Sequence, residues 1–293
     1  MDPGFVAVNQ LVLVVVDRLA TSATAGGSGA GLTVYNNAYL MFVLPHSLIT
    51  VSLATAMLPS ASRLAANGGD LAGVREETLR TIRLATSLVL PAAVAFLALA
   101  HPVVRLLFGH GAGGAEDAAY VGWTLMAFAI GLVPFTVQYI CLRAFYALED
   151  TRSTFFIQIA IGAVNVIAGG VGGIVYAVGD PPAWVAPSLA LAYSLSYVVG
   201  LAISFHQLSR KLPDLRFAVV AKHLLRVFLA VAPGRAARLG GITTLLASDS
   251  VLIEAAVLLL AAVVALVVFF ALARLIRITE VTSMLDAVLR RVR

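Results

Sequence analysis

Two arginines, two acids and a tyrosine crowd into residues 142–155, LRAFYALEDTRSTF. Guanidinium groups hold phosphates and carboxylates through paired, charge-assisted hydrogen bonds. Arg143 and Arg152 are therefore candidates to grip an anion or to pair with Glu149 and Asp150. Tyr146 has the amphipathic ring that anchors at a membrane headgroup layer. Asp150 and Thr151 suit the N-cap of a following helix, since a short polar side chain satisfies free backbone N–H groups there. Two explanations of this polarity stand side by side. It is a hinge and gate whose ion pairs break and re-form, or it is an anchored turn carrying positive charge on one side of a bilayer.

The rest of the chain offers little covalent chemistry. The sequence contains no HExxH, GxSxG, P-loop or paired Asp-rich motif. Its five histidines lack ligand spacing, and the one cysteine, Cys141, cannot form an internal disulfide. No enzyme activity, metal site or cofactor is expected. Polar residues inside the apolar runs include Asn9, Asp17, Asn36, His46, Gln138 and Asn165. An isolated amide in a membrane helix is commonly interhelical glue. Asn9, Asp17 and Asn165 are the candidates for a polar cavity or a cation, although Asp17 beside Arg18 also reads as an interfacial pair. Pro45 and Pro134 fall within runs and Pro59 ends one. Such prolines bend a helix, and bent helices suit a transporter that rocks between two states.

These groups must be carried by membrane helices. The 293 residues are 60% hydrophobic and only 12% charged, with a mean hydropathy of +0.96. A soluble domain carries about 25% charged residues, so this composition could not clothe a soluble surface. Eight apolar runs are expected to span: 4–16 (extended to 20), 31–58, 84–108, 118–148, 155–178, 183–206, a weak run from about 223, and 251–273. They are too long and uniform for barrel strands. The fold class is all-α, a polytopic membrane protein.

Charge orients the runs. Sixteen of the 20 lysines and arginines fall in the gaps after the second, fourth and sixth runs and in the tail. Only Arg18, Arg105, Arg235 and Arg238 fall in the odd gaps. The positive-inside rule places the even gaps and the C-terminus in the cytoplasm. The net charge of +5 and pI of about 9.7 follow from this bias and imply no nucleic-acid partner. Residues 60–83 are expected to form an amphipathic helix at the cytoplasmic face, capped by Asp70, with Glu76 and Arg80 paired four apart. The last residues suit an interfacial helix on anionic lipid.

Two segments carry a family resemblance. YNNAYLMFVLPHSLITVSLATAMLPSASRLAA, with Leu44-Pro45, Leu58-Pro59-Ser60 and Ser62-Arg63-Leu64, resembles the MurJ (MviN) lipid II flippases. LRAFYALEDTRST is similar to that family's segment at the end of its tenth helix. The resemblance implies a MOP-type exporter: two six-helix lobes about a central cavity, plus two helices forming a lipid-tail groove. Residues 1–208 would be the second lobe, 209–273 the added helix pair, and 274–293 a cytoplasmic amphipathic tail. The first lobe would lie outside this chain, which would be a fragment or the product of a late-assigned start.

The implied function is alternating-access flipping of undecaprenyl-pyrophosphate-linked peptidoglycan precursor, lipid II, across the bacterial cytoplasmic membrane. Implied partners are lipid II, membrane lipids, the first lobe and cell-wall synthesis proteins. Pro45, Pro59, Arg63, Arg143, Tyr146, Asp150 and Arg152 are the substrate or gate candidates. Three departures stand out. No arginine lies near Tyr39 and Leu40, Thr154 replaces a proline, and Gly169 stands where an acid after Asn165 would complete a sodium site in some relatives. Another MOP flippase or exporter, or a non-transporting scaffold for cell-wall assembly, are the alternatives.

Overall fold

The computed structural model describes residues 31–66, 69–109, 114–178 and 184–231, with a few isolated helical positions besides. Every described element is a helix: α1 Leu32–Pro45, a π-helical segment His46–Val51, α2 Ser52–Ala66, α3 Leu71–Phe108, α4 Gly114–Ala147, α5 Thr151–Val178, α6 Val185–Lys211 and α7 Phe217–Val231. In hydrocarbon no water satisfies backbone N–H and C=O groups, so a helix that bonds them internally is the favoured spanning form. That constraint overrides the weak helix propensity of the many valines and isoleucines here.

Among the described residues, five helices are long and apolar enough to cross a membrane: the rod Leu32–Ala66 made of α1, the π segment and α2, then α3, α4, α5 and α6. They correspond to the second to sixth apolar runs. The first and eighth runs lie outside the described residues. The seventh appears in part as α7, described over Phe217–Val231.

The expected interfacial helix over residues 60–83 is corrected. α2 continues to Ala66, and α3 runs unbroken for 38 residues from Leu71 to Phe108. The polar stretch is the end of one long helix, because no helix breaker separates Arg83 from Leu84. Asp70 does cap it: its Oδ1 accepts a hydrogen bond from the Gly73 N–H at 2.9 Å. Gly69, at φ +68, makes the turn that leads in. Arg80 pairs with Glu77 at 3.9 Å rather than with Glu76.

α4 lies at the centre, packed along α3 on one side and α6 on the other, with the rod crossing it and α5 held against α6. Small residues set the close approaches, as is usual where lipid gives helices no hydrophobic reason to associate. A Cβ on Gly131 would come within 2.7 Å of the Ser194 Cα. At that crossing the Ser194 hydroxyl donates to the Ala127 carbonyl at 2.7 Å. The buried Thr50 and Thr136 hydroxyls bond at 3.2 Å and tie the rod to α4. The core has two halves. One, around Phe42, Phe128 and Leu189, lies toward the start of α1. The other, around Met57, Phe145 and Leu208, lies toward the α4–α5 corner.

Candidate functional site

The α4–α5 corner is built with no spare residue. Glu149 adopts φ +58, the left-handed conformation that closes many helices. The Asp150 N–H donates to the Phe145 carbonyl at 2.9 Å, and the Glu149 N–H to the Tyr146 carbonyl at 3.1 Å. This pair of bonds is a Schellman motif, which satisfies carbonyls that a helix end leaves open. Asp150 then caps α5 at once, its Oδ1 accepting from the Ser153 N–H at 3.0 Å. The expected capping role of Asp150 is thus observed. The Thr154 hydroxyl donates to the Thr151 carbonyl at 2.6 Å.

The expected ion pairs are corrected. Asp150 pairs with Lys211, the last residue of α6, at 2.7 Å, and not with Arg143 or Arg152. Burial pushes the Asp150 pKa up. Hydrogen bonds from Lys211 and Ser153, with the Lys211 charge, outweigh that and hold it below its ordinary value. Arg143 turns back along α4 instead, as helical side chains do. Its guanidinium donates to the Tyr139 hydroxyl and lies 4.9 Å from the Tyr139 ring centroid and 5.9 Å from that of Tyr146. Among the described residues no carboxylate lies within ion-pair distance of it. Arg152 lies 5.9 Å from the Phe156 ring centroid. These contacts are cation–π pairs.

The aromatic stripe continues up α4. Tyr139 meets His46 edge-on at 5.1 Å, and His46 stacks on Phe135 at 3.8 Å. Phe135 in turn meets Tyr197 of α6 at 4.6 Å. One layer therefore joins the π segment, α4 and α6 at a common depth. The sequence names His46 only as a scattered histidine and does not anticipate Phe135, Tyr139 or Lys211. Helical spacing does place Phe135, Tyr139 and Arg143 on one stripe, a signal that composition alone hides.

A second set of contacts fastens the α6–α7 connection. Arg75 of α3 donates to the Pro213 carbonyl at 3.0 Å and approaches Asp214 at 3.9 Å. The His223 Nε2 lies 3.0 Å from the Ser87 hydroxyl and 3.2 Å from the Arg83 carbonyl. α7 is thereby docked on α3.

The exposed faces differ in kind. Along the rod they carry Thr33, Asn36, Ser47, Ser52, Thr55 and, at the far end, Arg63, interleaved with the exposed Leu40, Leu44 and Leu48. Pro59 is on this face, inside α2 rather than at its end, and Pro45 sits immediately before the π segment. On α5 beyond Arg152 the exposed positions are apolar, Phe156, Ile159, Ile167 and Val171 among them. On α6 the exposed Leu191, Leu195 and Val198 repeat that pattern. Asn165 is buried in α5, and no protein group bonds its Oδ1. One turn on, Gly169 faces Leu189, whose Cδ2 lies 3.2 Å from where a Cβ would stand. The position of an acid is thus taken up by close packing. Asn9 and Asp17 lie outside the described residues. The remaining site candidates do not converge: Arg143 and Tyr146 share a stripe, Asp150 caps the corner, and Arg63 ends the rod.

Among the described residues, five long apolar helices around a packed core define a multi-pass membrane protein. Comparison with known proteins sharpens this. A family model described as lipid II flippase MurJ matches residues 4–255. The chain is 34% identical over 126 residues to a probable lipid II flippase MurJ of Rhizobium meliloti (strain 1021), covering 43% of this chain and 23% of that protein. It is 23% identical over 241 residues to a probable lipid II flippase MurJ of Bdellovibrio bacteriovorus, covering 82% of this chain and 44% of that protein. A solved lipid II flippase MurJ in an inward closed conformation superposes with a TM-score of 0.69 at 18% identity, covering 92% of this chain and 52% of that one. The chain belongs to the MurJ family. It spans about half the length of the solved relative it matches.

Proposed function

We propose that this chain is the second lobe of a lipid II flippase, with residues 209–273 supplying a lipid-tail groove and 274–293 a cytoplasmic tail. With a first lobe outside this chain it carries the lipid-linked peptidoglycan precursor from the inner to the outer leaflet by alternating access, without covalent chemistry. The observation that carries this reading is the set of polar groups on the rod's outer face. Thr33, Asn36, Ser52 and Thr55 face outward on a helix of spanning length, between the equally exposed Leu40, Leu44 and Leu48. Hydroxyls and amides suit the sugar–peptide headgroup of such a precursor. The face closes on Arg63, a charge suited to phosphate. The lysine and arginine bias puts the corner and Arg63 on the cytoplasmic side, where the substrate is loaded. Moving a charged headgroup outward lets the membrane potential contribute about 2.3 kcal/mol per charge at 100 mV.

Complementation tests the reading. The chain is expressed alone, and joined to a first lobe from a relative, in a strain depleted of its own flippase. Lipid II exposure on the outer leaflet is then assayed. Restoration by the joined protein, and its loss on Arg63→Ala with Asn36→Leu, is the expected result. Failure of the joined protein at normal membrane levels would favour another lipid-linked substrate or a scaffold role.

A further inference from the structure

The rod changes phase at its π segment. Each residue of an α-helix advances about 100°, so a face bearing Thr33, Asn36, Leu40 and Leu44 would continue through Leu58 and Ser62. Those two are instead partly buried, and Pro59 and Arg63 are exposed. The displacement is one residue. A π turn supplies it, because i→i+5 bonding takes up one residue more per turn than i→i+4. The local cause is Pro45, which has no N–H to bond the Met41 carbonyl and crowds it.

The packing on either side fixes the shift. Val34, Ala38 and Phe42 are seated in one half of the core, and Ala54, Met57 and Ala61 in the other. Without the extra residue, Leu53, Ala56 and Ser60 would fall into those last three seats. Arg63 would swing toward the seat of Leu64, which packs against the same core. One end would be overfilled, another left with a hole, and a charge turned inward. His46, the first residue of the segment, is 3% exposed and stacked on Phe135. It holds the start of the wide turn against α4.

We propose that His46–Val51 is a register device, with His46 as its positioning residue, that keeps Pro59 and Arg63 on the same open face as Asn36 and Leu40. The register is independent of any assigned function. Its consequence, an arginine kept on the path of a phosphate-bearing lipid, rests on the flippase reading.

The test uses the chain joined to a first lobe, with Cys141→Ala as background. Single cysteines are placed at Asn36, Asn37 and Leu40, and at Leu58, Pro59, Ser62 and Arg63, and labelled with a membrane-impermeant maleimide. Positions 36, 40, 59 and 63 are expected to react faster than 37, 58 and 62. Deleting Leu48, which is exposed, should remove the extra residue and the wide turn and leave both halves in phase. Inserting an alanine after Val51 of the undeleted chain should instead move the pattern of one half by one residue relative to the other and lower lipid II exposure. His46→Phe should keep the pattern and His46→Ala should blur it. These two variants and the intact pattern decide the matter even where the deletion fails to fold. Faster labelling at 58 and 62 in the intact protein, or a deletion that puts the two halves out of phase, overturns the register device. A shifted pattern with unchanged lipid II exposure leaves the device standing and overturns the path assigned to this face.

Discussion

The rod and α6 each show an outer face at the same depth, one mixing polar groups with leucines and the other apolar. His46 and Tyr197 both pack on Phe135, so their sequence neighbours Ser47 and Val198 lie in one layer. Both neighbours are exposed, yet the row of Ser47 holds Asn36 and Ser52 beside Leu44 and Leu48, while the row of Val198 holds Leu191 and Leu195. Hydropathy does not separate them: the most apolar stretches of the two spans are equally hydrophobic. What separates them is which side chains point outward. A membrane helix with polar residues directed away from its own bundle has its partner, or its water, on that side. On the proposed reading, one helix lines a passage where the other, equally apolar, meets lipid.

The sharpest way to break this comparison is to put one charge in both places. Val198→Arg should cut the yield of folded, membrane-inserted protein severely, because a charge at such depth costs on the order of 3 kcal/mol on the insertion scale. Ser47→Arg, at the same depth but facing the passage, should leave the yield near that of the parent. Size-exclusion profiles of fluorescently tagged protein read both. Equal losses would mean that the rod face also meets lipid. The assignment of the passage to this face would then fail.

A smaller effect is expected at the corner, where the exposed rod ends near an ion pair that locks α5 to α6. Asp150 is stabilised as the carboxylate by Lys211 and Ser153, with its pKa held below the ordinary value. A group whose folded pKa is depressed contributes stability above its unfolded pKa, about 3.9, and loses it as pH falls through the folded value. Asp150→Asn keeps a capping oxygen but loses the pair. It should cost about 1 kcal/mol near neutral pH, and the gap between variant and parent should close below about pH 4. Thermal unfolding in detergent across that range checks the sign. A gap that widens in acid would place the relevant proton elsewhere.

Much of this was legible in the sequence, for physical reasons. Spanning runs are set by local composition, and the caps at Asp70 and Asp150 by side chains next to the backbone they serve. The ion-pair partner was not legible, because Lys211 reaches Asp150 through the tertiary packing of α6 and leaves no local trace. The unbroken α3 was misjudged because charge marks where a helix leaves the bilayer, not where it stops. Pro45 signalled a bend. That the bend is a π turn depends on core seats on both sides of it, which no local spacing records.

The smallest expected effect decides between the two explanations of the corner. Glu149 holds a left-handed conformation that costs an L-residue about 1 kcal/mol and glycine nearly nothing. If the corner is a fixed turn, Glu149→Gly relieves that cost. The protein should then gain up to about 1 kcal/mol of stability, with lipid II exposure unchanged. If the corner is a hinge, glycine frees the backbone at the pivot. Exposure should then change while stability falls or stays level. The Schellman bonds, the immediate Asp150 cap and the Lys211 pair all bear on the same three residues and favour the fixed turn. On that account the polarity of residues 142–155 serves two separate ends. Asp150 and Lys211 fasten the corner, while Arg143 is held between Tyr139 and Tyr146 and keeps its charge unspent on any described carboxylate.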